Sequence, residues 1–201
     1  MKKLGFVIAL ALAAGAAQAK EANSFGVLSG QGGGWTGSDS YGTRSLLAVD
    51  VTGIDSNDPF GDPINVIVTN NIGAGSHVTG IGWDVTLYAD SPSWLSEMQV
   101  SFESTSTTYV FLTPGVGDNI SGTKSYSSGG VVDLIGLGLD FYVDGDGLLH
   151  MEFFESFDDW ADDWDGIWQS GTITVQYEVI PAPGALALMA GGGLVALRRR
   201  R

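Results

Sequence analysis

Residues 172–179, "TITVQYEV", decide how this chain is to be read. Ile173, Val175, Tyr177 and Val179 alternate with Thr174, Gln176 and Glu178. In an extended strand successive side chains point to opposite faces, so the octet offers one apolar face to a core and one polar face to water. A helix would scatter the same residues around its circumference. The alternation recurs upstream. Ile81, Trp83, Val85 and Leu87 alternate with Asp84, Thr86 and Tyr88, and Met98, Val100 and Phe102 with Gln99 and Ser101. Leu139, Phe141 and Val143 alternate with Asp140, Tyr142 and Asp144, and Leu149, Met151 and Phe153 with His150 and Glu152. Residues 45–51, 64–69 and 107–112 read as three further strands.

Turn clusters such as "DSNDPFGDP", "TPGVGDN" and "DGDG" separate these runs. The stretch "VDGDGLLH" reads as a tight hairpin joining 140–143 to 148–154. Thirty glycines against four lysines argue against a helical bundle. The predicted fold is all-β, a single sandwich of about eight strands with jelly-roll-like connectivity. One segment breaks the rhythm. In "ESFDDWADDWDGIW" Phe157, Trp160, Ala161, Trp164 and Trp168 fall at helical spacing, with Ser156 and Asp159 in a Ser-x-x-Asp capping pattern. It predicts one short helical turn near 157–165, acidic outside and aromatic inside.

Charge lies in three blocks. Lys2, Lys3 and Lys20 sit at the start and Arg198, Arg199, Arg200 and Arg201 at the end. Between them Arg44 and Lys124 face all 23 acidic residues, which leaves the body at a net −21 against −14 for the whole chain. Such a surface repels phosphate backbones and excludes nucleic acid as the expected partner. There is no cysteine, so neither a disulfide nor thiolate chemistry is available.

The two ends read as addresses. "MKKLGFVIALALAAGAAQA" has a basic start, an apolar stretch and small residues at Ala17 and Ala19, the pattern of a secretory signal cut after residue 19. Residues 179–197 are almost wholly uncharged and long enough to span a bilayer as a helix, with the arginines left on the cytoplasmic side. The expected organisation is therefore a signal peptide at 1–19 and a glycine-rich leader with the first strand region at 20–44. A β-sandwich at 45–179 and a sorting and anchor segment at 180–201 complete it.

That last segment resembles the PEP-CTERM sorting signal of Gram-negative bacteria. Pro181-Ala182-Pro183 matches the Pro-x-Pro element, with Ala182 where the family usually has glutamate. Gly184 to Leu197 matches its membrane stretch and Arg198–Arg201 its arginine cluster. The resemblance covers about the last 22 residues. It implies recognition by a membrane exosortase, a transient stay in the inner membrane, and delivery to the cell surface or an extracellular polysaccharide matrix. Separately, "DGIWQSGTITVQY" resembles the closing strand of proprotein-convertase P domains and related bacterial jelly rolls, which implies a sandwich and no catalytic residue.

Within the body, three patterns look like chemistry. Gly32 to Gly37 fits G-x-G-x-x-G, but no strand precedes it and no helix pattern follows, so it reads as leader. "GDNISGTKS" approaches a phosphate loop, yet Thr123 separates Gly122 from Lys124, and the stretch reads as a turn. Asp144-Gly-Asp146-Gly147 has the middle of an EF-hand loop, but Tyr142 and Phe153 stand at its first and last ligand positions. Irregular calcium sites need only several oxygens from neighbouring loops. Asp158, Asp159, Asp162, Asp163 and Asp165 are candidates for one, the alternative being a solvated acidic face. Trp160 and Trp164 sit among these aspartates, placed either to stack on sugar rings or to plug one end of the sandwich.

Only two histidines are present, and neither G-x-S-x-G nor H-E-x-x-H occurs. The reading is a non-catalytic protein, exported and displayed at the surface or in exopolysaccharide. The alternatives are a calcium-dependent carbohydrate-binding or adhesion module and a glycan-active hydrolase, which would need two carboxylates facing each other across a cleft.

Overall fold

The computed structural model describes residues 27–29, 44–159 and 164–180, the side chains of 27–29, Thr108 and Tyr109 excepted. Its strands are β1 (Val27–Ser29), β2 (Arg44–Asp50), β3 (Ile54–Ser56), β4 (Val66–Asn71), β5 (His77–Ala89) and β6 (Met98–Glu103). β7 (Thr108–Thr113), β8 (Gly122–Ser127), β9 (Val132–Asp133), β10 (Phe141–Tyr142), β11 (Leu148–Glu155) and β12 (Gly166–Glu178) follow. Between β9 and β10 lies a single helical turn, α1 (Leu134–Leu137). The fold is an all-β sandwich. One sheet runs β1-β7-β6-β11-β4; in the other, β5 and β12 lie side by side with β2 and β3 along β12 and β8, β9 and β10 along β5.

The alternation quoted above becomes the core. Ile173 pairs with Trp83 and Val175 with Ile81 across β12 and β5, and all four are buried. Opposite them β6, β7 and β11 supply Val100, Phe102, Leu112, Met151 and Phe153, also buried. Trp168 and Phe153 join the two layers edge to face, with ring centroids 5.1 Å apart. Each large side chain so buried contributes on the order of 1.5–3 kcal/mol relative to exposure.

Two glycines make the central pair possible. A Cβ on Gly82 would stand 2.7 Å from the Gly130 carbonyl oxygen, so only glycine lets the 128–131 loop cross the outer face of β5. Gly171 has φ +124° and follows directly on the β5–β12 register shift between Trp168 and Ser170; a Cβ there would lie 2.2 Å from the Asp84 carbonyl oxygen.

Four local expectations are corrected. Residues 140–143 and 148–154 form no hairpin: β10 pairs with β5 while β11 pairs with β4 and β6 in the other sheet. The Asp144–Gly147 turn, closed by Gly147 N–H donating to Asp144 O at 3.0 Å, therefore carries the chain from one layer to the other. "GDNISGTKS" is not only a turn, because its second half is β8, paired with β5. Polar Thr123, Lys124 and Ser125 on an exposed flank hide that strand from a search for apolar alternation. Residues 156–159 and 164–165 are bends or irregular rather than helix, and 160–163 lie outside the described residues. Trp168, counted there as a helical residue, instead opens the apolar face of β12. The one described helical turn is α1, capped by the Asp133 carboxylate, which accepts from Ile135 N at 3.1 Å.

A clamp fixes the 57–65 loop to the smaller sheet. Glu152, only 5% exposed, accepts from Gly61 N at 2.6 Å and Asn65 Nδ2 at 2.8 Å. Burial pushes its carboxyl above the usual range, and these donors only partly offset that. A raised carboxyl stabilises the fold below its unfolded value of about 4.5, and this contribution is lost as pH rises through the folded value. Glu152→Gln should therefore have a flatter stability profile than the parent between acidic and neutral pH, read by urea denaturation across pH. Gly171→Ala should cost roughly 2–3 kcal/mol in the same assay, because it forces a side chain into both a left-handed backbone and a carbonyl.

Candidate functional site

Five strand ends meet at one end of the sandwich. Glu155, the last residue of β11, pairs with Met98 at the start of β6. Gly166, the first residue of β12, pairs with Ser56 of β3 and with Ala89 of β5. The connecting loops are tied together through the backbone. Asp165 N–H donates to Ser56 O at 3.0 Å and Asp90 N–H to Asp165 O at 2.8 Å. Glu155 N–H donates to Asp58 O at 3.2 Å, and Ser156 N–H to Glu97 O at 2.9 Å.

This frame gathers carboxylates. Glu155 and Asp165 are both fully buried. Asp165 Oδ2 accepts from Asp159 N at 3.2 Å. Neither Glu155 oxygen has a hydrogen-bond partner, and the neighbouring Ser56 hydroxyl donates to the Phe154 carbonyl at 3.0 Å. Burial drives the Glu155 carboxyl well above the carboxylate range; the neighbouring Ser56 hydroxyl works against this, while Asp165, Glu97 and Asp159 reinforce it. Glu97 is raised too, by burial first, against the Trp94 N–H that donates to its Oε2 at 2.8 Å.

Around the carboxylates stand exposed aromatic rings. Trp164 is 38% exposed, with its ring 6.1 Å from that of Tyr88; Trp94 is 42% and Phe157 60% exposed. Flat apolar faces beside carboxylates suit a pyranose, which presents one apolar face and a rim of hydroxyls. Of the residues singled out in the sequence, the structure brings together Asp159 and Asp165 and leaves Asp158 and Trp164 exposed beside them. Trp160, Asp162 and Asp163 lie outside the described residues, as do Pro181, Ala182, Pro183, Gly184 and Arg198–Arg201.

Glu155 and Glu97 were missed by the sequence reading. For Glu155 a signal existed: it continues the odd-numbered parity of Leu149, Met151 and Phe153, which points inward, so a charge there is out of place in the strand. Glu97 carries no such mark.

The other chemical groups serve local structure. His77 Nε2 lies 2.7 Å from Asp140 Oδ2, with its ring stacked on Tyr142 at 4.1 Å. His150 Nδ1 lies 2.8 Å from the Thr69 hydroxyl. Asp144 accepts from Ser106 N at 2.8 Å, and Asp146 accepts from Leu148 N at 3.0 Å and from the Thr105 hydroxyl. A shallow open depression of about 280 Å³ on the outer face of the larger sheet is lined by Gly82, Asp84, Thr172, Thr174 and the 127–131 loop. Among the described residues no helix is long and apolar enough to cross a membrane.

No protein-family model and no curated protein sequence matches the chain. Among solved structures it is similar to the VP2 subviral particle of infectious bursal disease virus, at 16% identity and a TM-score of 0.35, over 74% of this chain and 36% of that one. It is also similar to dimeric latent PorU from Porphyromonas gingivalis, at 9% identity and a TM-score of 0.34, over 74% of this chain and 14% of that one. The chain thus spans well under half the length of either protein.

Exposed and buried tryptophans should separate cleanly on truncation. Trp164→Ala is expected to change stability by less than about 1 kcal/mol, whereas Trp168→Ala, which empties the centre of the core, should cost roughly 3–5 kcal/mol in urea denaturation.

Proposed function

We propose that this chain is an exported, non-catalytic β-sandwich, displayed at the cell surface or held in extracellular polysaccharide and delivered there by a C-terminal sorting signal. The observation that carries this reading is where the last described strand ends. β12 ends at Glu178, Val179 and Ile180 are half exposed outside the sheet, and the Pro-x-Pro element begins at the next residue. Cleavage near Pro181–Pro183 would release the sandwich without removing any of its described strands. The strand orders support a jelly roll: β2-β12-β5-β8 faces β4-β11-β6-β7, the interleaving expected of two nested Greek keys. The basic residues of the body are both paired, Arg44 with Glu178 at 3.1 Å and Lys124 with Asp118 at 2.6 Å, so its field is that of the acids.

A second reading is favoured by the end face, where Trp94, Phe157 and Trp164 are exposed next to carboxylates. There the display protein would also hold sugar.

Replacing Arg198–Arg201 with serines in the host and fractionating the cells tests the first reading. The parent should be recovered shortened at the surface or in the medium, and the variant retained uncut with the membrane; identical mass and location for both would overturn it. Binding of the processed protein to the host's exopolysaccharide tests the second. Trp164→Ala should weaken saturable binding about tenfold, the effect of losing one stacking ring (1–2 kcal/mol). No saturable binding by the parent would remove that reading and leave the first intact.

A further inference from the structure

We propose that the buried end of β11 is a divalent-cation site of calcium-type chemistry, with the Glu155 and Asp165 carboxylates as inner ligands and Glu97 and Asp159 closing over them. Glu155 is fully buried and neither of its oxygens has a hydrogen-bond partner, the neighbouring Ser56 hydroxyl donating to the Phe154 carbonyl instead. A buried polar group in that state is costly and calls for a partner. The charges that act on it are all negative: Asp165, itself fully buried, Glu97 and Asp159. Like charges in a poorly hydrated site repel strongly. Among the described residues the lysine and arginine side chains are engaged elsewhere, Arg44 with Glu178 and Lys124 with Asp118.

The donor set chooses the ion. Carboxylates, the Ser56 hydroxyl and the backbone carbonyls of the converging strand ends are all oxygen, with neither imidazole nor sulfur among them, which favours a hard cation over zinc or copper. Calcium accepts six to eight irregularly placed oxygens and sheds its water readily, whereas magnesium keeps several waters and wants an octahedron. The inner ligands are held by their backbones, Asp165 through Ser56 and Asp90, Glu155 through Asp58. Among the described residues no group of three acidic side chains already stands in ligating geometry. Half-buried Glu97, on the turn before β6, and Asp159, on a bend, supply the movement that completes the shell. The site stands whether or not the end face binds sugar, and its test needs no glycan.

The full chain, stripped with EGTA, would be titrated with calcium chloride while its melting temperature is followed. Terbium luminescence excited through tryptophan would be read in parallel, because Trp164 and Trp168 flank Asp165 in the chain. The expected dissociation constant is on the order of 10⁻⁴ M, as in extracellular modules. At about a hundredfold excess the melting temperature should rise by roughly 5–10 °C. Glu155→Gln should abolish both signals and Glu97→Gln should weaken binding about tenfold, the effect of losing one charged ligand (1–2 kcal/mol). Asp84→Asn, which removes an exposed acid on the outer face of the larger sheet, should change neither signal. If Glu155→Gln fails to fold, Glu97→Gln and Asp165→Asn carry the test. A parent that shows neither a thermal shift nor terbium luminescence would overturn the proposal and leave the carboxyls neutralised by protons. A shift that survives both glutamine variants would also overturn it, by assigning the effect to diffuse surface charge.

Discussion

The antiparallel pairing of β5 with β12 holds the larger sheet together, because each of its remaining strands hydrogen-bonds to one of these two. β2 and β3 lie on the free side of β12, and β8, β9 and β10 follow one another along the free side of β5. Two strands of thirteen residues are long for a sandwich, and their register shifts twice, between Trp168 and Ser170 next to Gly171 and again between Gln176 and Tyr177. The first shift has a structural use. Beyond it, Gly166 reaches Ser56 and Ala89 together, and the three strand ends that frame the acidic end of the molecule come into line.

The long strands were legible because each has one wet face and one dry face, and period-two alternation records that difference. Eight strands have six residues or more, close to the number that alternation predicted. The exceptions have physical causes. β8 contributes mainly polar side chains to an exposed flank, and β1, β3 and β9 are too short to show a period. The supposed hairpin at 140–154 failed for a different reason. A short glycine turn between two alternating runs specifies a reversal of direction, but not whether the second run pairs beside the first or crosses to the facing layer. That choice is made by strands far away in sequence, β5 taking β10 while β4 and β6 take β11 between them.

The acidic end was half legible. Its exposed aspartates stood out as a run, and the structure keeps Asp159 and Asp165 in contact there. The residue that gives the place its character, Glu155, was concealed by being ordinary in composition and unusual only in parity. A single charge in an apolar row weighs little in a window average, yet it dominates the local electrostatics once the row is buried.

The position of β12 also sets the order of events for a chain made from its N-terminus. The strand at the middle of the larger sheet is the last of the described strands to appear, and its partners β5 and β2 are complete long before it. Until residue 178 is free, β2 and β5 have no neighbour between them, although β6, β7 and β11 are already there to face the inner side of β5. Folding of such a fold is governed by distant pairings and is slow compared with a helical bundle. The larger sheet is therefore completed only when its last described strand is available, and β2, made well before it, waits for β12 to join that sheet at all.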